Sequence, residues 1–345
     1  INRNNPEGLS CELPVHLYDS HTYRSVTGFK DNFIAYKNIC RTIRDGHVSV
    51  IHCNTPIGGM IGRICGRQMH VDKVIYTAHG FHFYKGAPLF HRTVIKLAEQ
   101  IMARWTDALI TMNQEDYEAA QKLSLKKGGK VYRVHGVGVN VSDYQDLCAD
   151  PGKKRDELGL VERDIVLISM GDLIDRKNYS TAIRAIARAN NPRLKYLICG
   201  NGPEREKLSA LTKLLHMEQQ VIFLGFRDDT KELLNAADIF LFTTKQEGLP
   251  RSMMEAMASG LPCIASKIRG NVDLIEDGVN GFLFEPSDVD GFSSGITTLA
   301  NAPDLCRFMA ENSLVKIKEY DVSVVEKEIM EIYKEVLINT RSIAV

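Results

Sequence analysis

Residues 239–262 read IFLFTTKQEGLPRSMMEAMASGLP, and three kinds of local structure follow one another along this stretch. The apolar run Ile239–Thr243 predicts a buried strand, because it is short, continuous and rich in aromatic residues. A polar loop follows it, and Pro250 suits the first position of a helix that Gly260 and Pro262 end. A strand, a loop and a helix in this order predict one unit of an α/β fold with a parallel sheet.

The same alternation runs through most of the chain. The other apolar runs that predict strands are Val48–Cys53, Lys73–Thr77, Ala108–Met112, Val131–His135, Ile165–Met170, Lys195–Cys199, Val221–Leu224 and Cys263–Ser266. The amphipathic stretches that predict helices include Asn32–Asp45, Leu89–Trp105, Gln114–Leu125, Ser180–Asn190, Glu204–Leu215 and Val322–Leu337. With 345 residues the chain is long enough for two α/β domains, and the segment Gly136–Val141 suits the boundary between them.

The composition is typical of a globular protein. Hydrophobic residues make up 44% and charged residues 25% of the chain. No apolar stretch approaches the length of about 18 residues that a membrane-spanning helix needs. None of the eight cysteines has zinc-ligand spacing, and without a signal peptide at the start a reducing cytoplasm is the expected compartment. The chain begins at Ile1 instead of methionine, so we expect a fragment that lacks its true start.

Charge is divided unequally along the chain, although the whole chain is neutral. Residues 1–140 carry 18 lysines and arginines against 11 acidic residues, a net charge of +7, and residues 141–345 carry −7. Two interpretations explain this asymmetry equally well. The first half either meets an anionic partner, which would be a phosphorylated substrate or an acidic membrane surface, or carries solvated charges that have no partner. Nucleic acid is not expected, because the basic residues are scattered and are not interleaved with stacking aromatic residues.

The strongest chemical signal is the pair Glu247 and Glu255. Glu247 lies in the predicted loop, and Glu255 lies about a turn and a half into the helix after it. The N–H groups of such a helix start favour a phosphate, and the carboxylates can then accept hydrogen bonds from neutral hydroxyls. The alternative is a capped surface helix with a solvated glutamate pair. The sequence motifs of P-loop kinases, simple dehydrogenases and zinc proteases are absent.

Several segments together resemble a known family. The stretch Glu247-Gly-Leu-Pro-Arg-Ser, with Glu255-Ala-Met-Ala-Ser-Gly-Leu-Pro, is similar to the donor-site motif of retaining glycosyltransferase family 4, which has the GT-B fold. The other segments that match in the family's order are Tyr76–Pro88, Gly136–Asn140, Gly200–Glu204, Phe223–Phe226 and Asn280–Leu283. The first of these, YTAHGFHFYKGAP, looks like the bacterial capsular and exopolysaccharide, EpsD-like branch.

The resemblance covers the chain from about Val48 to its end, and it implies two Rossmann-like domains whose parallel sheets face each other across a cleft. An acceptor-side domain is expected over residues 1–138, without the first βαβ portion of the family. A nucleotide-sugar donor domain is expected over residues 139–320. A C-terminal helix within residues 321–345 is expected to pack back towards the first domain.

The resemblance also assigns roles in donor binding. Glu255 is implied to bind the ribose hydroxyls, and Glu247 to lie at the transferred sugar and the leaving phosphate. The further residues implied along the donor are Gly248, Leu249, Gly200, Gly202, Phe226 and Arg227.

A basic pair in the segment Gly171–Lys177 is implied to bind the donor diphosphate. Lys177 matches the lysine of the family, but Asp172 occupies the position of the usual arginine, for which Arg176 is a candidate substitute. Lys177 could also be a solvated residue at a helix start. A lysine there is unfavourable unless an anion neutralises it, which favours the functional role.

In the first domain the resemblance places His79 at the reaction centre. The residues expected on the acceptor or membrane side are His82, Phe83, Tyr84 and Lys85, and Phe81, Leu89, Phe90 and Arg92 extend this aromatic and basic loop. Almost as good an interpretation is that the rings of Phe81 and Phe83 fill the core. Glycines recur every four residues at Gly58, Gly62 and Gly66, which we interpret as close packing of a helix rather than approach of a bulky acceptor.

The chain is therefore interpreted as a metal-independent retaining hexosyltransferase without a cofactor. The expected substrates are a nucleotide-diphosphate sugar, with UDP-sugar preferred, and a lipid-linked saccharide of capsular or exopolysaccharide synthesis. The expected location is the inner face of the cytoplasmic membrane, in peripheral contact with anionic lipid. Lys177 and helix-end amides would stabilise the leaving diphosphate in place of a metal ion. The alternatives are a GT-B nucleotide-sugar epimerase and a catalytically silent sugar-nucleotide binding module.

Overall fold

A computed structural model describes residues 28–145 and 150–338. Outside the described residues lie 1–27, 146–149 and 339–345. These ranges include Cys11 and Cys148, the start of the predicted first domain and the end of the predicted C-terminal segment. The chain divides into two compact units. The first unit comprises Ile1–Val134 and Glu328–Val345, and the second comprises His135–Lys327.

A parallel sheet forms the centre of the first unit. Among the described residues it has the strand order β1-β2-β3-β4, which is also the order of the strands along the chain. These strands are β1 (Val50–Asn54), β2 (Lys73–Ala78), β3 (Ala108–Thr111) and β4 (Lys130–Arg133). Strands β2 and β3 are almost wholly buried, because each is a continuous apolar run between two neighbours.

Helices connect these strands. They are α1 (Phe29–Asp45), α2 (Pro56–Gln68), α3 (Lys96–Ala103) and α4 (Gln114–Ala120). A π-helical turn, His91–Ile95, leads directly into α3. The last helix of the described chain, α14 (Val322–Ile338), begins in the second unit, and its residues from Glu328 onward belong to the first unit.

A larger parallel sheet forms the centre of the second unit, with the strand order β10-β9-β8-β5-β6-β7 in the described chain. Its strands are β5 (Ile165–Met170), β6 (Leu194–Cys199), β7 (Val221–Gly225), β8 (Ile239–Phe242), β9 (Cys263–Ser266) and β10 (Gly281–Phe284). Alternate residues of β5 point into two separate hydrophobic clusters, so the sheet is buried on both faces. The strand order reverses between β5 and β8, and ligands of open α/β sheets bind beside the carboxyl ends of strands at such a point.

Helices cover both faces of this second sheet. They are α5 (Ser142–Gln145), α6 (Pro151–Glu157), α7 (Tyr179–Ala189), α8 (Arg205–Leu214), α9 (Thr230–Asn235), α10 (Arg251–Ala258), α11 (Asn271–Leu274), α12 (Val289–Asn301) and α13 (Pro303–Ile317). Short 3₁₀ turns occur at Asp175–Lys177 and Lys318–Tyr320.

The predicted α/β class with two parallel sheets is confirmed. The predicted strands Ile165–Met170 and Cys263–Ser266 match the structure at both ends, and the other strands differ by one or two residues. Strand β10 is missing from the prediction, because Gly281–Phe284 has only three apolar residues, which directly follow the turn residues Asn280 and Gly281. The predicted helix Leu89–Trp105 is interrupted by the π-helical turn.

The glycines of α2 pack closely against the sheet. A Cβ atom on Gly62 would lie 2.7 Å from Cβ of Cys53, and one on Gly66 would lie 2.7 Å from Val74. Gly58 meets only Thr55, and it is Gly59 whose Cβ would lie 2.2 Å from the ring of Tyr76. Close packing is therefore confirmed for Gly62 and Gly66. The third close contact is made by Gly59 and not by Gly58, so the prediction for Gly58 was wrong.

A buried ion pair joins α2 to α3 in the first unit. Arg63 is fully buried, and its guanidinium forms two hydrogen bonds with the Glu99 carboxylate, one of them from NH2 to Oε2 at 3.1 Å. Nε of Arg63 donates to the Gly59 carbonyl at 2.9 Å, and the guanidinium lies over the ring of Tyr76 at 3.9 Å. The charge is thus neutralised and solvated by the protein, as burial of an arginine requires.

Candidate active site

Two loops meet at the carboxyl ends of β5 and β8, where the strand order reverses. In one loop the 3₁₀ turn carries Arg176 and Lys177, and in the other Glu247 precedes α10. The Glu247 atom Oε1 accepts from Nζ of Lys177 at 2.8 Å and from NH1 of Arg176 at 3.0 Å. The structure therefore brings together the two cations and the first glutamate that the sequence singles out.

Lys177 is held in a partly dry environment. Its side chain is 13% exposed and that of Glu247 is 11% exposed. The ammonium lies 4.8 Å from the centre of the Phe242 ring. Gly171 has a φ of +145°, and a Cβ atom there would lie 3.2 Å from Cε of Lys177. A charge in such surroundings interacts more strongly with an anion than a charge in open water does.

Tight glycine turns hold the first of these loops. A Cβ atom on Gly200 would lie 2.0 Å from the carbonyl oxygen of Gly171, and one on Gly202 would lie 2.4 Å from the carbonyl oxygen of Leu173. The amide of Leu173 also donates to the Asn201 carbonyl at 2.9 Å. Only glycine permits this approach of two backbones, so Gly200 and Gly202 fix the position of the loop that carries Lys177.

The loop before α10 is fixed in a similar way. Nε of Arg269 donates to the Glu247 carbonyl at 3.0 Å, and a Cβ atom on Gly270 would lie 2.2 Å from the Gly248 carbonyl oxygen. Leu249 packs against Gly136, where a Cβ atom would lie 2.5 Å from Cδ2 of Leu249.

Helix α10 begins one residue later than predicted, so that Pro250 precedes the helix. It has extended backbone angles, its carbonyl accepts from Met254, and the helix begins at Arg251. Pro250 is therefore the N-cap, and the prediction of the first helical position is wrong by one residue.

Glu255 lies in α10, as predicted, and is mostly buried. Its Oε1 accepts from Nε of Arg251 at 2.9 Å, one turn earlier in the helix. Tyr144 of α5 lies beside it, and burial followed by the Glu255 carboxylate raises the pKa of that phenol. The carboxylate thus lies between a cation and a neutral hydroxyl.

Phe226 and Arg227 follow β7, two strands from β5. The ring of Phe226 is 79% exposed. The guanidinium of Arg227 donates to Asp229, with Nε to Oδ1 at 2.7 Å, and to Glu157 at 3.3 Å, and these bonds raise the pKa of Arg227. Two carboxylates therefore already neutralise the charge expected to lie along the donor.

His79 follows β2 at the carboxyl end of the first sheet. Its Nε2 lies 3.1 Å from Oδ1 of Asn54, and burial lowers its pKa. His52 lies nearby and contacts Tyr333 of α14 at 2.5 Å and Thr77 at 2.7 Å. Burial, and next the charge of His79, lower the pKa of His52, so both rings are neutral at physiological pH.

The loop after His79 is more buried than expected for a membrane contact. Phe81 lies in the core, and Phe83 stacks on it with a centroid separation of 4.6 Å, so the expected lipid contact of Phe81 is wrong. His82, Phe83 and Tyr84 are half-buried and Lys85 is exposed; His82 lies 5.9 Å from the ring of His91, and the Lys85 amide donates to Glu115 at 2.9 Å. Further along the segment, Leu89 and Phe90 are exposed.

Two residues of the donor-side loops are not visible from sequence reasoning. The Thr244 hydroxyl donates to Oε1 of Glu247 at 3.0 Å, and buried Asn178 donates to the Thr243 carbonyl at 2.9 Å. Arg269, which the sequence predicts to support the loop facing the donor, contacts that loop through its bond to the Glu247 carbonyl. Asn178 has a left-handed φ of 55°, a conformation that asparagine tolerates better than most residues. The asparagine itself is therefore the local sequence feature that could have indicated this turn.

Two short motifs of other enzyme classes also occur in the chain, and both are structural. Asp288-Val-Asp290 has the spacing of a metal-binding pair, but Asp288 caps α12 by accepting from Gly291, and Asp290 pairs with Arg188. Gly291-Phe-Ser-Ser-Gly295 has the spacing of a nucleophile elbow, but it lies within α12. None of the described helices is long and apolar enough to cross a membrane.

Two family models match the chain. Residues 150–315 match the model described as glycosyl transferases group 1, and residues 4–113 match the model described as glycosyl transferase 4-like. Together they cover strands β1 to β3 of the first unit and all six described strands of the second.

Similar proteins agree with these matches. EpsD of Bacillus subtilis (strain 168), named as a glycosyltransferase, is 33% identical over 88% of this chain and 80% of its own length. An Escherichia coli UDP-Gal:alpha-D-GlcNAc-diphosphoundecaprenol alpha-1,3-galactosyltransferase is 27% identical over 88% of this chain and 79% of its own length. The crystal structure of Anabaena HepE in complex with UDP-glucose has a TM-score of 0.77 at 23% identity, over 87% of this chain and 82% of that chain. This chain therefore belongs to the group 1, family 4-like glycosyltransferases and has the GT-B fold.

Proposed function

We propose that this transferase moves a hexose from a UDP-sugar to a lipid-linked saccharide, with retention of the anomeric configuration. One observation carries the proposal: Lys177 and Arg176 converge on Glu247 at the point where the strand order of the second sheet reverses. Two cations and a carboxylate in one partly dry place can bind a diphosphate and an adjoining sugar hydroxyl.

The donor diphosphate would bind to Lys177 and Arg176. Without an anion, these side chains hold each other in place through Glu247, so the site is organised before the donor arrives. Glu247 would keep its place beside them and accept from a hydroxyl of the sugar. HepE binds UDP-glucose, and UDP-Gal is in the name of the E. coli relative, which supports a uridine nucleotide.

Retention follows if the acceptor attacks on the face that the diphosphate leaves. The bond from the anomeric carbon to the diphosphate oxygen breaks, and a bond to the acceptor oxygen forms. The acceptor proton passes to the departing phosphate oxygen, so no side-chain base is needed. Lys177 would stabilise the negative charge that develops on the diphosphate, without a metal ion. When the donor sugar is α-linked to its diphosphate, retention gives an α-linked product, as in the name of the E. coli relative.

A lipid-linked acceptor is supported by relatives of this chain. The E. coli relative acts on a diphosphoundecaprenol-linked sugar, and a Campylobacter jejuni relative, 25% identical over 72% of this chain, is named for a diphospho-undecaprenol acceptor. Neutral His79 on the first unit would donate to or accept from an acceptor hydroxyl. We therefore propose action on a growing surface polysaccharide at the inner face of the cytoplasmic membrane.

A donor panel tests this function. The purified protein is incubated with UDP-sugars and an undecaprenyl-diphosphate saccharide, and nucleotide release, product mass and anomeric NMR signals are measured. We expect an α-linked product and turnover that survives EDTA. A β-linked product would contradict retention, and turnover lost in EDTA and restored by Mg²⁺ would contradict the metal-free leaving group. Epimerised donor in the absence of acceptor would identify an epimerase, and donor binding without any product would identify a silent binding module.

Replacing Glu255 by glutamine tests the ribose contact. The change keeps the shape of the side chain but removes its charge, and charge-assisted hydrogen bonds contribute about 1.5–3 kcal/mol each. Affinity for UDP is expected to fall about tenfold or more in calorimetry. The control is Arg251→Gln, which removes the partner of Glu255 and keeps its carboxylate. Equal losses in both variants, or no loss in Glu255→Gln, would contradict the ribose assignment.

A further inference from the structure

An apolar stripe runs along the outer face of α3 and the π-helical turn before it. The side chains of Phe90, Val94, Leu97 and Ile101 are 61, 51, 57 and 46% exposed. Their spacing of three or four residues places them on one side of the helix, over a length of about 16 Å. A solvent-exposed stripe of this kind marks a surface that meets an apolar partner.

The exposed charges along this stripe have a single sign. Lys85, Arg92, Lys96 and Arg104 are exposed on or beside the helix. The acidic residue of the helix, Glu99, is buried and neutralised by Arg63. The surface therefore offers apolar side chains with basic residues at their edges, and its partner must be apolar and anionic at once.

A basic cavity lies at the end of the stripe. It has a volume of about 420 Å³, and its charged and aromatic lining residues are Arg67, His70, Asp72, Arg104, Trp105 and Lys126, so Asp72 is its one acidic side chain. The Arg67 guanidinium lies over the Trp105 ring at 4.2 Å, and Lys126 is paired with Asp107. Arg67 and Arg104 form no ion pair with a described residue, so their charges are available to an anion of the size of a phosphate.

We propose that this surface rests on an anionic phospholipid bilayer. The apolar stripe enters the boundary between headgroups and acyl chains, and Arg67 and Arg104 bind a lipid phosphate beside Trp105. Amphipathic helices with basic edges bind membranes in this way, and a tryptophan suits the same depth. This proposal rests on the proposed function in one respect: a membrane is chosen as the partner because the proposed lipid-linked acceptor lies in a membrane.

Charge decides between the bilayer and a second copy of this chain. A dimer formed through this face would bring the same four basic residues of two copies together, which is unfavourable without anions between them. A bilayer with anionic lipid neutralises all of them. Each basic residue near such a surface contributes on the order of 1 kcal/mol, and this contribution is screened by salt.

Vesicle sedimentation tests the surface. Vesicles of phosphatidylcholine with about one third phosphatidylglycerol should bind the protein, and pure phosphatidylcholine vesicles should bind it at least about tenfold more weakly. Salt at about 1 M, where the Debye length is about 3 Å, should weaken the binding. The variants Phe90→Ser/Leu97→Ser and Arg67→Gln/Arg104→Gln should each lose about tenfold or more in binding.

Matched variants on the second unit are the controls. Phe308→Ser/Leu214→Ser removes the same two exposed side-chain types, and Arg184→Gln/Lys213→Gln removes two exposed charges. Both should bind vesicles like the wild type, and all variants should retain affinity for UDP in calorimetry. Equal losses in the controls, binding that ignores phosphatidylglycerol, or a dimer in sedimentation velocity that only Phe90→Ser/Leu97→Ser dissociates would overturn the proposal. Vesicle binding without sugar transfer would instead leave this surface in place and contradict the proposed function.

Discussion

Replacing Lys177 by alanine is expected to lower kcat for sugar transfer by about 10²- to 10³-fold. In the proposed mechanism the ammonium stabilises the charge that the leaving diphosphate gains, and the loss of one such preorganised donor costs about this much. Since the lost contact is to phosphate, affinity for UDP should fall more than affinity for uridine. Steady-state kinetics and calorimetry with both ligands measure the two effects.

Lys245→Ala is the matched control for this variant. Lys245 lies in the same pair of loops, but its ammonium is half-exposed and bonds to Asp175 at 2.9 Å. Exposed ion pairs of this kind contribute little, so kcat should stay within about twofold of the wild type. Equal loss in both variants would indicate a displaced loop, and an unchanged kcat in Lys177→Ala would contradict the role of Lys177 in the reaction.

Replacing Glu99 by glutamine is expected to lower the free energy of unfolding by about 3–5 kcal/mol, since it leaves Arg63 buried with an uncompensated charge. Urea unfolding followed by circular dichroism measures this change. The double variant Arg63→Met/Glu99→Leu removes both charges and should recover most of the lost stability.

An exposed pair provides the control for the buried one. Lys316 and Glu319 are paired at 2.6 Å with both side chains exposed, so Glu319→Gln should change the free energy of unfolding by less than about 1 kcal/mol. A loss of the same small size in Glu99→Gln would show that water reaches Arg63, contrary to its burial.

The strands were predictable because a strand that is buried on both faces consists of a continuous run of apolar residues. Ile165–Met170 is continuous and apolar, since β5 has a neighbour on each side and a hydrophobic cluster on each face. Strand β10 lies at the edge of its sheet, and its three apolar residues directly follow Asn280 and Gly281, which are typical of a turn. The start of α10 was missed by one residue: proline is most common at the first helical position, but the extended backbone angles of Pro250 make it the N-cap.

The candidate site was predictable only in part. Lys177, Glu247 and Glu255 stand out by residue type and by resemblance, and the structure brings the first two into contact. The support from Thr244 was not predicted, because no local pattern indicates its hydroxyl bond to Glu247, whereas Arg269 was expected to support this loop. Arg227 illustrates the converse: its partner Asp229 is two residues away, but its second partner Glu157 is 70 residues away and cannot be inferred from the local sequence.

The path of α14 has a consequence for the order in which the protein folds during synthesis. The first unit needs residues from Glu328 onward, where Tyr333 bonds to His52 and Glu335 bonds to Tyr132 at 2.9 Å. The second unit is a single continuous stretch that leaves the ribosome before those residues do. Although the first unit starts earlier, it must wait, with part of its sheet uncovered, until the final helix emerges. The unit that is begun first is therefore the one that is completed last.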